Sequence, residues 1–197
     1  MRKRTVLLVA LALAAVSIHA SLPAHAEGNV NFILGQKSLD DDGWGRLDEH
    51  AEIGVLVTFG EEDWPVHIAI DFIATADTIT TVPIGSRLDI EAFTSELGVG
   101  VRKIWKKDNL RPFVGGGVAM IGGELDFIDT RGVSFGEDDQ ALGLWVDGGV
   151  FWRLGKKFNI GFDVRISRAE IELRPFGDRV DVKAGGDHIG LLLGWGW

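Results

Sequence analysis

The last ten residues of the chain, 188–197, alternate between large apolar side chains and small or polar ones, with Leu192 as the exception. A period of two predicts a β-strand with one apolar face. In a soluble protein, an edge strand that exposes two tryptophans would be a site of aggregation. Against lipid the same pattern is favourable, because bulky groups face outward, small groups face inward and aromatic groups lie at the interface. The apolar face consists of Ile189, Leu191, Leu193, Trp195 and Trp197.

The first 26 residues have the three parts of a secretory signal peptide. Basic residues 2–4 precede the apolar run 6–18, and Ala24-His25-Ala26 fits a cleavage site. The apolar run is shorter than the ~20 residues that a spanning helix needs. We therefore predict a signal peptide over residues 1–26 and one mature domain over residues 27–197. Its removal takes three basic and no acidic side chains and moves the formal charge from −9 to −12. An acidic mature chain argues against nucleic acid as a partner.

Two features of the composition favour a narrow barrel. Cysteine is absent, so the chain has neither disulfides nor thiolate metal ligands. Glycine accounts for 27 of 197 residues, well above the usual share of about 7%. Glycine weakens a strand unless backbones pack closely or bend there, as they do around a narrow lumen. No later apolar tract is long enough for a transmembrane helix, so a mature chain that crosses a membrane must do so as a closed barrel.

Eight segments of the mature chain have the alternation of a half-apolar strand. The connections between them alternate between short polar turns and longer segments rich in Asp, Glu, Gly and Arg, as in membrane barrels with short periplasmic turns and long outer loops. We therefore predict an all-β fold, an eight-stranded antiparallel up-and-down transmembrane β-barrel. The predicted strands are 29–37, 50–59, 66–77, 93–105, 111–121, 141–153, 158–167 and 188–197, and the long connections are 39–49, 78–92, 122–140 and 168–187.

Tryptophan placement supports this orientation. Five of the seven tryptophans lie at or beside the predicted short-turn end of the strands. An interfacial aromatic girdle has this distribution. The five are Trp64, Trp105, Trp152, Trp195 and Trp197.

A soluble lipocalin-like barrel is the alternative fold with eight strands. Such a barrel buries its apolar positions around a ligand and presents polar residues to water. In this chain the face opposite the bulky apolar residues carries glycine as well as charge, and glycine would have no purpose on a solvated outer face. The pattern therefore favours the membrane barrel.

Residues 110–118, Leu-Arg-Pro-Phe-Val-Gly-Gly-Gly-Val, resemble the PYVGAGxG strand that is common among small bacterial outer-membrane barrels of the OmpA, OmpX and OmpW type, with Phe113 in place of tyrosine. The terminal strand resembles the last strand of the same class. The resemblance implies an outer-membrane location reached through the periplasm. It also implies that the barrel-insertion machinery reads the terminal strand, from Ile189 to Trp197, as a signal. The class shares its architecture, whereas function lies in variable loops.

Ten ionisable side chains fall on the predicted inward faces of the strands. An eight-stranded barrel is just wide enough for side chains to fill it. Opposite charges inside should therefore pair and close the lumen, because an unpaired buried charge is strongly unfavourable. The alternative is a gate or a narrow pore for small solutes. The ten residues are Lys37, Glu52, His67, Asp71, Glu96, Arg102, Asp147, Arg153, Asp163 and Arg165.

Candidate catalytic residues are sparse. Lipid A-modifying enzymes built on barrels of this size use histidine with serine and an acidic partner. The mature chain offers only His50, His67 and His188, and no His-x-Ser pair occurs. We therefore predict that no residue is catalytic, that no cofactor is needed and that the interior histidines are structural. A lipid A-modifying enzyme stays as a further alternative.

The long connections are acidic, most clearly at Asp40, Asp41 and Asp42. Carboxylates are hard ligands that suit a divalent cation, but the run lacks the D-x-D-x-D-G spacing of a calcium loop, which favours a solvated acidic loop instead. The sequence thus predicts a monomeric, non-enzymatic outer-membrane barrel that acts in surface interaction or envelope integrity. Its expected partners are membrane lipid, lipopolysaccharide and, during assembly, the insertion machinery.

Overall fold

The computed structural model describes residues 26–40, 44–81, 88–129, 134–173 and 180–197. Almost all of the predicted signal peptide, and Asp41 and Asp42 of the acidic run, lie outside the described residues. These described segments form ten strands. They are β1 (Ala26–Ser38), β2 (Glu49–Glu61), β3 (His67–Thr81), β4 (Leu88–Ile104), β5 (Leu110–Asp129), β6 (Ser134–Leu154), β7 (Phe158–Arg168), β8 (Glu170–Leu173), β9 (Val180–Lys183) and β10 (Asp187–Gly196).

Eight of these strands close into an antiparallel barrel in the order β1-β10-β7-β6-β5-β4-β3-β2. The predicted eight-stranded up-and-down barrel is therefore confirmed. The seam between the first and last strands runs from Ser38 opposite Asp187 to Asn29 opposite Gly196. Two further backbone hydrogen bonds between Gly28 and Trp197, of 3.3 and 3.1 Å, extend the seam. Since each of the eight barrel strands is hydrogen-bonded to two neighbours, the barrel has no open edge.

The apolar face of each barrel strand points outward. Along β7 and β10 exposed and buried residues alternate without interruption. The outward residues are strongly exposed, for example Leu191 at 67% and Leu142 at 75%. A water-soluble protein does not present a continuous apolar belt of this kind, whereas a barrel in lipid requires one. Within the described residues, no helix is long and apolar enough to cross a membrane.

Close packing inside the barrel explains part of the glycine content. Gly98 on β4 faces the lumen, where a Cβ atom would lie 3.0 Å from Nε1 of Trp145 and 3.2 Å from Nη2 of Arg165. Both distances are shorter than ordinary van der Waals contacts. Glycine at this position leaves room for the two largest buried side chains of the lumen.

Two of the predicted loops are much shorter in the structure, because the strands beside them continue further than the sequence predicts. The sequence predicts loops over 78–92 and 122–140, but β3 pairs with β4 as far as Thr81 and Leu88, and β5 pairs with β6 up to Ile128 and Ser134. Alternation of apolar and polar residues marks a strand only where one face meets an apolar environment. These hairpins extend past the apolar belt, so both of their faces are polar or mixed and the signal is lost.

A third predicted loop, residues 168–187, contains a small hairpin formed by β8 and β9. This hairpin turns into the mouth of the barrel, where Ile171 and Leu173 of β8 and Val182 of β9 are almost completely buried. They belong to an apolar cluster with residues of the barrel wall such as Ile121 and Trp145. The long-loop end of the barrel therefore has its own core, which we call the mouth cluster.

Candidate functional site

The centre of the lumen is built around Asp71 on β3, which two arginines share. Its Oδ2 atom lies 2.9 Å from Nη2 of Arg102 on β4 and 2.9 Å from Nη1 of Arg165 on β7. Arg102 also pairs with Asp147 on β6 and donates a hydrogen bond of 2.9 Å to Thr58 on β2. None of the four charged side chains is more than 4% exposed. Strands from both sides of the barrel are thus connected through one ionic cluster.

Trp145 on β6 fills the space beside these arginines. The guanidinium carbon of Arg165 lies 4.4 Å from the centre of the indole ring, and that of Arg102 lies 5.7 Å from it. The indole nitrogen donates to the carbonyl of Val118 at 3.1 Å. A desolvated arginine over the face of tryptophan gains cation–π attraction in addition to its ion pairs.

Glu96 on β4 is the second centre of the network. Its Oε1 atom lies 2.9 Å from Nζ of Lys37 on β1, and its Oε2 atom lies 3.3 Å from Nη2 of Arg165. Lys37 also donates to Thr94 at 3.0 Å and to the backbone carbonyl of Ala184 at 2.8 Å. This last contact ties the charged lumen to the segment that follows the β8–β9 hairpin.

Glu52, Ser167 and His188 come together on the inner wall although they are far apart in the sequence. Nδ1 of His188 pairs with Glu52 on β2, and its Nε2 atom lies 3.1 Å from Oγ of Ser167 on β7. Nucleophilic hydrolases use this order of serine, histidine and carboxylate. Here, however, the serine hydroxyl donates to Glu96 at 2.6 Å and accepts from the amide of Gly186 at 3.2 Å. Ser167 is completely buried and His188 is 2% exposed, so a substrate has no access to them.

Sequence inspection missed this trio because the pairing depends on strand register. Ser167 and His188 lie on neighbouring strands β7 and β10, with His188 directly opposite Arg165. Both residues lie on inward faces that the sequence alternation predicts, Ser167 in the predicted strand 158–167 and His188 in the predicted strand 188–197. A search across adjacent strands for inward residues two positions apart could have found them, whereas a search for His-x-Ser could not.

Three of the ten predicted lumen residues lie apart from the ion pairs. Asp163 on β7 is 1% exposed, and its oxygens accept no hydrogen bond from the described residues. His67, the first residue of β3, is 8% exposed, and its Nδ1 atom has no hydrogen-bond partner within the described chain. Arg153 on β6 is half-buried at the short-turn end, where it donates to the side-chain oxygens of Asn159 and Asn29 at 2.6 and 2.5 Å. The sequence analysis places Arg153 among interior charges that should pair, and its hydrogen-bond partners are the neutral amides of Asn159 and Asn29.

Side chains occupy the described part of the lumen unevenly along its length. A cavity beside Arg102 and Phe113 has a volume of about 10 Å³, which is close to the minimum of about 10–15 Å³ that can hold one water molecule. At the long-loop end the mouth cluster packs together, and Trp44 there donates from Nε1 to the carbonyl of Lys183 at 2.8 Å. At the short-turn end a cavity of about 250 Å³ opens to the outside.

Four of the predicted girdle tryptophans are exposed at the short-turn end, namely Trp64, Trp105, Trp152 and Trp195, with exposed fractions from 40 to 46%. The fifth, Trp197, is half-buried, because its ring lies directly on Gly28, where a Cβ atom would overlap the ring. The remaining residues of the predicted insertion signal, Ile189, Leu191 and Leu193, point outward along β10.

The described residues include only one of the three aspartates of the possible loop cation site. Asp40 accepts a hydrogen bond of 2.6 Å from Lys183 on β9, while Asp41 and Asp42 are outside the described part of the chain. No group of three or more histidines, cysteines or acidic residues in the described segments is arranged to hold a metal ion.

No known protein-family model matches this sequence, and no curated protein is similar to it. Solved structures are similar in fold. OprG, an outer-membrane protein of Pseudomonas aeruginosa, has a TM-score of 0.58 and 10% identity over 87% of this chain and 96% of its own. Ail, the attachment invasion locus protein of Yersinia pestis, in complex with the heparin analogue sucrose octasulfate, has a TM-score of 0.57 and 13% identity over 88% of this chain and 99% of its own. A major outer-membrane protein of Thermus thermophilus has a TM-score of 0.51 and 10% identity, with 87% and 98% covered.

At these identities the likeness shows the fold alone. The predicted resemblance to small outer-membrane barrels is confirmed at that level, since the chain has the same closed architecture. What these proteins bind does not transfer to this chain.

Proposed function

We propose that the protein is an integral outer-membrane barrel with a closed, charge-filled lumen, and that it acts in surface interaction or envelope integrity rather than in catalysis. The outer-membrane fold and the outward apolar belt support this location. One observation carries the proposal of closure: the ion-pair network and the inward β8–β9 hairpin together occupy the lumen.

The chemistry of the lumen favours a structural role for its charges. Each of the salt bridges of Arg102 and Arg165 is almost completely removed from water, so a passing ion would have to displace a partner from a desolvated pair. Removing one partner from such a buried ion pair costs about 3–5 kcal/mol. A conduction path through this network would therefore face a high barrier.

The serine–histidine–glutamate trio supports the same conclusion. A nucleophilic serine needs an exposed hydroxyl and a histidine that is able to take its proton. Ser167 has no exposed surface and donates its hydrogen to Glu96 instead. This arrangement braces β7, β10 and β4 against each other.

Planar-bilayer recordings on the refolded native protein test the proposal. We expect no stable conductance steps, because the network and the mouth cluster block both halves of the lumen. A variant in which residues 169–184 are replaced by a short Gly-Ser linker serves as a control, since it removes the hairpin's part of the mouth cluster and leaves the ion pairs of Arg102 and Arg165. Large, stable channels in the native protein would overturn the proposal and favour the narrow pore.

The acidic long-loop end provides the proposed contact with the cell exterior. Asp138 is exposed, Asp40 accepts a hydrogen bond from Lys183 on β9, and Asp139 accepts one from the backbone amide of Glu172 on β8. Divalent cations could bridge such carboxylates to lipopolysaccharide phosphates. Replacing Asp40, Asp41 and Asp42 by Asn should weaken calcium-dependent binding of lipopolysaccharide. An unchanged calcium dependence would place the contact elsewhere.

A further inference from the structure

We propose that the cavity at the short-turn mouth of the barrel binds an oxyanion of the size of phosphate. The cavity has a volume of about 250 Å³ and lies at the opposite end from the β8–β9 hairpin. Three cationic side chains line it, together with one acidic side chain, that of Glu27. The cationic residues are Lys106, Arg111 and Arg153.

Hydrogen bonds to neutral groups hold Arg153 in position, and its guanidinium forms no ion pair with a carboxylate of the described residues. Its Nε and Nη2 atoms donate to the amide oxygens of Asn159 and Asn29. Its guanidinium lies directly on Gly196, where a Cβ atom would overlap Nη2. Because the partners are neutral and Nη1 donates no hydrogen bond to the described residues, the full charge remains for a ligand. A guanidinium oriented in advance is well suited to a planar or tetrahedral oxyanion.

Arg111, near the start of β5, has the same kind of environment. Its side chain donates to the backbone carbonyls of Asp108 and Leu110, the latter at 3.2 Å. The like charges of Arg111 and Arg153 repel each other. An anion between them would remove this repulsion and gain a charge-assisted hydrogen bond from each group.

His67 provides the independent indication of a ligand. It lines the same cavity, it is only 8% exposed, and its Nδ1 atom has no hydrogen-bond partner among the described residues. A buried polar atom without a partner is unfavourable and needs an explanation. A ligand oxygen in the cavity would satisfy it. Lys106, which pairs with Glu27 at 2.7 Å, closes the outer side of the site.

The chemistry identifies the ligand as an oxyanion, and two sources of it are consistent with the location. One is free inorganic phosphate. The other is the headgroup of an anionic phospholipid, because the exposed girdle residue Trp105 lies directly beside Lys106 at the expected membrane interface.

Isothermal titration calorimetry of the detergent-folded protein with inorganic phosphate, at constant ionic strength, tests the site. Native mass spectrometry after incubation with phosphatidylglycerol tests the lipid source. We expect saturable binding of at least one of the two, and about a tenfold loss of affinity in Arg153→Gln and in Arg111→Gln, since each removes a charge-assisted hydrogen bond. Arg168→Gln is the matched control, because Arg168 lies at the opposite end, exposed and paired with Asp187 at 2.8 Å.

Each outcome decides the proposal. Binding of phosphate that both mouth variants weaken supports a site for the free ion. Retention of phosphatidylglycerol alone, again lost in the two variants, supports a lipid headgroup. Absence of both, or an equal loss in Arg168→Gln, overturns the proposal. Should Arg153→Gln fail to fold, Arg111→Gln and His67→Phe still test the site.

Discussion

Arg102 is the residue whose removal should disturb the lumen most. It pairs with two carboxylates, Asp71 and Asp147, and both are buried. Replacing it by Ala leaves two buried negative charges with one fewer cation. We expect Arg102→Ala to lower the free energy of unfolding by about 3–5 kcal/mol, the range for one lost partner of a buried pair. Urea unfolding in lipid vesicles, followed by tryptophan fluorescence, measures it.

Arg168→Ala is the control for this substitution, since it removes an arginine from a pair that is 60% and 64% exposed. Such surface pairs contribute about 0–1 kcal/mol. Equal losses in the two variants would mean that water reaches the network and that the lumen is not closed.

At the residue level the sequence indicated the direction in which a side chain points better than it indicated the residues that the side chain contacts. The inward positions predicted for Lys37, Glu96 and Arg165 follow from the two-residue period of a strand, and the three side chains are buried. The partners are set by strand register and by the barrel's curvature, which no local pattern encodes. For that reason the sequence did not indicate that Arg153 contacts the amide of Asn29 or that Ser167 contacts His188.

The β8–β9 hairpin is the element that most changes the interior of the barrel, because it adds buried apolar side chains at the long-loop end. It places two four-residue strands within a charged segment, and its apolar residues pack against Gly123 and the ring of Trp44 rather than against lipid. Runs of four residues flanked by Asp, Glu and Arg give no usable period, so this hairpin could not be predicted.

The hairpin should stabilise the barrel through its buried side chains. Ile171 is 3% exposed and belongs to the mouth cluster. We expect Ile171→Ala to lower the free energy of unfolding by about 2–5 kcal/mol, as cavity-forming substitutions in a core do. Val180→Ala on the same hairpin, at a position 40% exposed, should change it by less than about 0.5 kcal/mol. Similar small effects of both substitutions in urea unfolding would show that the hairpin does not pack into the mouth in solution.

The fold of the whole molecule was predictable because the membrane imposes a strict rule on its sequence. Every backbone group must be paired and every outward side chain must be apolar, so the pattern repeats in each strand from Leu34 on β1 to Leu193 on β10. The contents of the lumen were predictable only in part. The charged residues were visible in the sequence, but the hairpin that packs at the mouth was not.

Site-directed spin labelling tests the account most directly, and the cysteine-free chain allows single labels without further changes. Leu191→Cys on β10 and Val99→Cys on β4 place labels on opposite sides of the barrel, at outward positions 67% and 50% exposed. Lys156→Cys places one in a short turn. In lipid vesicles we expect the first two labels to collide with oxygen and not with a water-soluble nickel chelate, and the turn label to show the reverse. Chelate access at positions 191 and 99 equal to that at position 156 would contradict the membrane barrel.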